Sequence, residues 1–257
     1  MYNPIKHKIA SGEQVLGTFF KLGNPYAVEC ASLAGLDFVV LDCEHGAYEA
    51  ENTVAAMMVA GRYGITPFVR VRDTGRSAVM KMLDAGAHGL IIPYVKTVEE
   101  VEKLIEFSKY YPIGSRGYAG TISNGFNQPD WTKNTLEYFE TCNRETLLIP
   151  QCETKECLDN IEAIAALEGV DGILFGPADL SVSLGIPGNM QAPMLLEAME
   201  HVKSVCKRNG KIAMINCGSA DKAKAFFAKG FDGVTCSSDA NALIAFFQKL
   251  VQEAKSK

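Results

Sequence analysis

The chain has 257 residues, with 25 basic and 30 acidic side chains and a formal net charge of -5. Hydrophobic residues make up 47% and charged residues 21%, a composition that permits a large core and excludes a disordered chain. The charge balance gives no basic face for nucleic acid, and neither a secretory signal nor a bilayer-length apolar run is found. We therefore expect a cytoplasmic protein with no nucleic-acid or membrane partner.

Eight short apolar segments alternate with helix-length amphipathic stretches. Strands are predicted over 15–20, 38–42, 66–71, 89–95, 146–151, 172–176, 211–216 and 233–238. Such alternation gives parallel strands joined by helical crossovers. Eight units in about 250 residues favour a closed (βα)8 TIM barrel over a doubly wound open sheet. No linker divides the chain, so one domain is predicted over 1–257.

One long irregular segment and the cysteines need separate interpretations. Residues 112–133 are rich in Gly and polar side chains, which predicts an excursion on the βα side near the active site. Arg116 within it is a weak candidate for anion binding. The eight cysteines are scattered without a CxxC pair, which favours reduced core thiols over disulfides or zinc ligands.

Catalytic residues of a TIM barrel lie at the carboxyl ends of its strands. The side chains that pass this filter are Asp42, Glu44, His45, Arg70, Glu153 and Asp179. His7, His88 and His201 fall elsewhere and are predicted to be structural or solvated.

Each of these candidates has a functional and a structural interpretation. Glu153 and Asp179 follow neighbouring strands and suit Mg²⁺ or Mn²⁺, or they cap the helices beside them. His45 suits a general base oriented by Asp42, or it is a structural hydrogen-bonding group. Arg70 suits a carboxylate or oxyanion, or it pairs with a nearby acidic side chain.

Two other chemistries receive less support. Residues 216–219 and 237–240, after the seventh and eighth strands, make a poor phosphate cradle, and no Gly-rich nucleotide motif precedes a helix. Schiff-base chemistry needs a lysine inside the barrel or at its mouth, and the sixth strand has none. Lys21 and Lys96 lie just past strand ends, so that exclusion is incomplete.

Several motifs resemble one enzyme family along nearly the whole chain. They are LDCEHG at 41–46, FVRV at 68–71, KMLDAGAHGLIIPYV at 81–95, SRGYAG at 115–120, IPQCET at 149–154 and GPADLS at 176–181. In this order they resemble the class II, metal-dependent pyruvate aldolases, which include 4-hydroxy-2-oxoheptanedioate aldolase and 2-dehydro-3-deoxyglucarate aldolase. The resemblance implies a barrel of the phosphoenolpyruvate/pyruvate type.

The resemblance also implies a ligand set. Glu153 and Asp179 would hold Mg²⁺ or Mn²⁺, with Co²⁺ as a further candidate. Arg70 would hold the oxygens of pyruvate or its enolate. The turn Gly176, Pro177 and Ala178 would bind the pyruvate carboxylate, with the N–H groups of Gly176 and Ala178 as donors.

Three further roles and an assembly follow from the same resemblance. His45, paired with Asp42, would be the acid/base for the aldol hydroxyl, and Glu44 would support metal-bound water. Asp84 would reach the histidine of a neighbouring subunit. The chain would form a homo-oligomer, a hexamer built as a trimer of dimers, with the last helix exchanged between subunits.

The implied reaction is reversible cleavage of a 4-hydroxy-2-oxo acid to pyruvate and an aldehyde, in sugar-acid or aromatic catabolism. Alternatives are decarboxylation of a 2-oxo acid such as oxaloacetate, cleavage of a CoA thioester, and a non-catalytic barrel that binds an acidic metabolite. No basic entrance for CoA is evident. The segments 121–133 and 217–219 depart from the family's patterns, so the aldehyde is not specified.

Overall fold

The computed structural model describes residues 2–256 and contains a closed barrel of parallel strands. The strands are β1 Val15–Phe20, β2 Phe38–Asp42, β3 Thr66–Arg70, β4 Gly89–Ile92, β5 Leu147–Cys152, β6 Gly172–Phe175, β7 Ile212–Cys217 and β8 Gly233–Ser238. The helices are α1 Pro4–Ala10, α2 Pro25–Leu33, α3 Ala50–Tyr63, α4 Arg76–Ala85, α5 Val98–Ser108, α6 Thr135–Glu145, α7 Lys155–Asp159, α8 Ile161–Ala166, α9 Pro177–Ser183, α10 Pro193–Arg208, α11 Ala220–Ala228 and α12 Asp239–Lys255.

The predicted (βα)8 barrel is confirmed, with differences at element ends. β4 stops at Ile92 rather than at residue 95, because Pro93 has no N–H for the strand ladder and Tyr94 adopts a positive φ of 55°. The helix-length amphipathic stretch that follows β5 is divided at Asn160 into α7 and α8. Helices α1 and α6 were not predicted.

Alternating side chains within each strand separate two cores. Phe38 and Val40 of β2 and Phe68 of β3 point inward and are fully buried. Continuing the same alternation directs Asp42 and Arg70 into the mouth of the barrel. The intervening residues pack against the surrounding helices. Asp42 and Arg70 are therefore the last inward-facing residues of β2 and β3.

The irregular segment 112–133 lies at the other end of the barrel, and its predicted place near the active site is wrong. It leaves the carboxyl end of α5, which runs back toward the amino ends of the strands. Arg116 is buried against Asp84 of α4, at 2.8 Å, and Ile122 lines a cavity with Thr66 at the start of β3. Arg116 is thereby excluded as an anion-binding residue of the mouth.

The last helix, α12, packs little against the barrel. Asp239 is its one buried residue, while large apolar side chains along it are about half exposed: Leu243, Ile244, Phe246, Phe247, Leu250 and Val251. A groove of about 430 Å³ lies outside β1 and β8, where Leu16, Phe227 and Cys236 line it. In residues 2–256 no helix is both long and apolar enough to cross a membrane.

Candidate active site

The main cavity of the site, about 320 Å³ in volume, opens at the carboxyl ends of the strands. Predicted site residues that line it are His45, Arg70, Gly176, Pro177, Ala178 and Asp179. An adjoining cavity of about 370 Å³ shares His45 and Asp179 and adds Glu44 and Glu153. The two cavities are thus lined by every predicted site residue except Asp42, which lies buried behind Arg70, and Asp84, which lies elsewhere.

Arg70 and Asp42 form a buried ion pair at the base of the mouth. They are register partners on β3 and β2, and Nε and Nη2 of Arg70 donate to the two Asp42 carboxylate oxygens at 2.9 and 2.7 Å. Burial raises the pKa of Asp42, but the Arg70 guanidinium outweighs it and holds that pKa below the usual value. Nη1 of Arg70 lies 3.1 Å from Glu44 Oε2. The guanidinium is therefore fixed in one orientation.

The expected pairing of Asp42 with the His45 imidazole is wrong. Asp42 Oδ1 accepts the backbone N–H groups of Glu44 and His45, each at 3.2 Å, and the carboxylate is otherwise engaged by Arg70. The imidazole is 60% exposed, and its Nε2 lies 3.7 Å from Glu44 Oε2. Asp42 is a positioning residue that holds Arg70 and the turn that carries His45.

Glu153 is the most perturbed acid of the site. It is 4% exposed, accepts the Tyr94 N–H at 2.7 Å and accepts the side-chain amide of Gln151. Burial raises the pKa of Glu153 to about 7, with the negative charges of Asp179 and Glu44 adding to the rise and the Tyr94 N–H opposing it. Burial likewise raises the pKa of Glu44. The negative charges of Glu44, Glu153 and Asp179 converge here, and the nearby cation, Arg70, lowers the pKa of both glutamates only in part because burial outweighs it.

The donor set fits a hard divalent cation. Glu153 and Asp179 face the same cavity, and Gln151 Oε1, next to Glu153, is buried without a hydrogen-bond partner among the described residues. In residues 2–256 no group of three or more His, Cys, Asp or Glu side chains is placed to hold a metal. Two carboxylates leave the other coordination positions to water and substrate, which Mg²⁺ and Mn²⁺ tolerate well.

The turn after β6 offers fewer donors than expected. The N–H of Gly176 donates to Cys152 O at 3.0 Å, so its predicted contact with a carboxylate is wrong. Pro177 has no N–H, which leaves Ala178, in the first turn of α9, as the donor of this turn. Gly176 serves by lacking a side chain, since a Cβ there would lie 2.9 Å from Glu153 Cβ.

Comparison with known proteins places the whole barrel in one family. Residues 16–245 match the model described as HpcH/HpaI aldolase/citrate lyase. The chain belongs to the HpcH/HpaI family. The predicted family is thereby confirmed, and with it the prediction that the chain is a lyase of the aldolase class.

Relatives of this HpcH/HpaI protein match it end to end. It is 32% identical to the 5-keto-4-deoxy-D-glucarate aldolase of Shigella dysenteriae serotype 1 and 31% identical to that of Escherichia coli, covering 98% of this chain and 97% of each relative. The crystal structure of an HpcH/HpaI aldolase from Desulfitobacterium hafniense superposes with a TM-score of 0.92 at 32% identity, covering 100% of this chain and 98% of that one.

Asp84 lies outside the active-site mouth of this HpcH/HpaI chain. It is the second-last residue of α4, just before the amino end of β4, and it pairs with Arg116. The barrel separates it from His45 of the same chain. Its predicted contact with a histidine of a neighbouring subunit stays a prediction.

Gln151, Lys21 and Asn216 also line the main cavity, but sequence reasoning gave no binding role to Gln151 or Asn216 and considered Lys21 only for Schiff-base chemistry. Gln151 and Asn216 continue the inward alternation of Ile149 and Met214, and this signal could have found them. Lys21 follows the last residue of β1. All eight cysteines are free thiols; five are buried as predicted, whereas Cys30 is exposed and Cys43 and Cys236 are partly buried.

Proposed function

We propose that the chain reversibly cleaves a 4-hydroxy-2-oxo acid into pyruvate and an aldehyde with the help of a divalent metal. The observation that carries this proposal is the convergence of Glu153, Asp179 and Arg70 on two adjoining polar cavities that share Asp179. The family match and the two relatives named as sugar-acid aldolases support it.

Glu153 and Asp179 would hold the metal, which we expect to be Mg²⁺ or Mn²⁺, with Co²⁺ as a further candidate. When bound, a divalent ion supplies Lewis-acid stabilisation of the negative charge that develops on the 2-oxo group. Arg70 adds a fixed positive charge beside the same oxygens, since Asp42 prevents it from swinging away. The Ala178 N–H binds the carboxylate of the 2-oxo acid, and Glu44 orients water.

His45 acts as the general acid and base. Its exposed imidazole lines both cavities and accepts the proton of the 4-hydroxyl group as the C3–C4 bond breaks. The bonding electrons pass to the enolate of pyruvate, and the hydroxyl carbon becomes the aldehyde. Protonation of C3 then completes pyruvate, and the reverse sequence forms the aldol.

We expect His45→Ala to lower kcat for aldol cleavage by at least about 100-fold, because general acid–base catalysis contributes that much or more. His201→Ala is the matched control, since His201 is about half exposed on α10, away from the mouth. Stopped-flow or coupled assays of both variants measure the effect. Undiminished turnover by His45→Ala would remove its catalytic role.

Pyruvate release from a panel of 4-hydroxy-2-oxo acids tests the function itself, with lactate dehydrogenase as the coupling enzyme. Oxaloacetate is assayed beside the panel, because its decarboxylation also passes through a pyruvate enolate. We expect kcat/KM for at least one 4-hydroxy-2-oxo acid to exceed that for oxaloacetate. Faster oxaloacetate decarboxylation would favour a decarboxylase, and tight binding without turnover would favour a binding protein.

The working form is a homo-oligomer, which we expect to be a hexamer built as a trimer of dimers. The exposed apolar side chains of α12 support exchange of this helix, and the groove outside β1 and β8 offers its apolar side chains a place on a second copy. Asp84 would then reach the His45 of another subunit. Sedimentation equilibrium that returned the mass of one chain would contradict this assembly.

A further inference from the structure

Lys21 places a second cation in the main cavity. Its side chain is 39% exposed, and its Nζ lies 3.9 Å from Asp42 Oδ2. The side chain of Arg70, the other cation lining this cavity in the described chain, is engaged at Nε, Nη1 and Nη2 by Asp42 and Glu44. The ammonium of Lys21 makes no such hydrogen bond among the described residues, so it is a second positive group of this cavity that can meet a ligand.

The backbone of Lys21 is fixed, so its position is built into the fold. Asp239 accepts the N–H groups of Lys21 and Leu22 at 2.8 and 3.1 Å, and also that of Ala240 at 2.8 Å. These contacts occupy the Asp239 carboxylate. Asp42, the other acid near Lys21, is already paired with Arg70, so neither acid neutralises Lys21 fully.

Hydrogen-bond donors and hydroxyl groups surround the same end of the cavity. Asn216 Oδ1 accepts the Thr235 hydroxyl at 3.1 Å, which leaves the Asn216 amide N–H groups for a ligand. The register of β1 and β8 shifts by one residue between Gly17 and Phe19, and Ser237 has a positive φ of 64°. This bulge turns Ser237 toward the cavity, and strain of this kind gathers at functional sites.

The carboxylate pair and Lys21 lie on opposite sides of the barrel mouth. Glu153 and Asp179 follow β5 and β6, whereas Lys21 follows β1 and Asn216 ends the inward row of β7. In a closed eight-stranded barrel, β1 is diametrically opposite β5. A substrate whose 2-oxo acid end lies at the carboxylate pair therefore extends its aldehyde-derived end toward Lys21.

We propose that Lys21, assisted by the Asn216 amide, binds a carboxylate at the far end of the substrate, so that the enzyme selects acidic aldehydes. This assignment rests on the proposed aldolase function and names its substrate class. An ammonium and an amide donor suit a carboxylate, since charge-assisted hydrogen bonds are stronger than neutral ones. A neutral aldehyde would leave the ammonium without its partner.

Aldol synthesis from pyruvate and paired aldehydes tests the assignment. The acidic members are glyoxylate and 4-oxobutanoate, and the neutral members are glycolaldehyde and butanal. We expect wild type to prefer an acidic member, and Lys21→Met to lower the acidic-to-neutral ratio of kcat/KM by about 10- to 100-fold. Lys21→Arg should restore most of the ratio, because the charge returns.

Lys96→Met is the matched control, because Lys96 also follows a strand but lies over the Tyr94 ring outside the main cavity. It should leave the ratio within about twofold of wild type. Equal losses for acidic and neutral aldehydes in Lys21→Met, or an unchanged ratio, would overturn the assignment.

Exchange of the pyruvate methyl protons with deuterium oxide separates this failure from failure of the aldolase proposal, since it needs no aldehyde. Exchange retained in Lys21→Met shows that enolate formation is intact and confines the loss to aldehyde recognition. A wild-type enzyme that neither exchanges these protons nor forms any aldol would overturn the aldolase proposal, and the Lys21 assignment with it.

Discussion

Arg70→Ala should lower kcat/KM for a 4-hydroxy-2-oxo acid by at least about 100-fold, whereas Arg72→Ala should stay within about threefold of wild type. Arg70 is 6% exposed and held in the mouth by Asp42 and Glu44. Arg72 points outward, with 64% of its side chain exposed and its Nε on Asp73. Steady-state kinetics of the two variants measure the difference, and equal effects would contradict the assignment of Arg70 to the substrate.

Loss of Arg70 also leaves the buried Asp42 charge with only the distant Lys21 ammonium, 3.9 Å away, which costs up to about 3–5 kcal/mol of folding free energy. Arg70→Lys separates catalysis from stability, because it keeps the positive charge and loses the two-pronged contact. We expect Arg70→Lys to fold, as measured by its thermal midpoint, and still to lose most of its activity. Full activity in a folded Arg70→Lys variant would show that the guanidinium shape is dispensable.

Glu153→Gln should lower kcat by at least about 1,000-fold and abolish tight Mn²⁺ binding, because one of the two proposed protein ligands loses its charge. Glu156→Gln is the matched control, since Glu156 lines the same cavity but is exposed. Electron paramagnetic resonance of free Mn²⁺ measures binding independently of activity. Tight Mn²⁺ binding by Glu153→Gln would contradict its role as a ligand.

The affinity for the metal should decrease as the pH drops below about 7. In the metal-free protein the pKa of Glu153 is raised to about 7, so below that pH the carboxyl holds a proton that the metal must displace. One displaced proton raises the apparent Kd for Mn²⁺ by about tenfold per pH unit below 7, and the Kd levels off above it. Titrations from pH 5.5 to about 8 measure this slope, and an affinity that rose on acidification would contradict it.

The barrel could be predicted because strand–helix alternation repeats through the whole chain. The inward alternation of β2 and β3 likewise brings Asp42 and Arg70 to the mouth as register partners. The bidentate pairing of Asp42 with Arg70 was harder to predict, because the sequence offers Asp42 both Arg70 and His45 as partners. Register favours Arg70, which lies directly across the ladder.

The predictions about Gly176 and the segment 112–133 were wrong for physical reasons. The Gly176 N–H was assigned to substrate, but β6 continues its ladder by one bond to Cys152. The segment 112–133 has the composition of an active-site loop, yet it follows a helix rather than a strand. Lys21 was considered only for Schiff-base chemistry, because its position opposite the carboxylate pair follows only from closure of the barrel.

Metal removal tests the central claim most directly. The protein is treated with EDTA, freed of chelator and assayed for pyruvate release from a 4-hydroxy-2-oxo acid before and after Mn²⁺ is restored, with borohydride added to a parallel sample of enzyme and substrate. We expect activity to vanish with the metal, to return with Mn²⁺, and no covalent adduct to be trapped by mass spectrometry. Activity that survives complete chelation, or an adduct on a lysine such as Lys21, would contradict a metal-dependent aldolase.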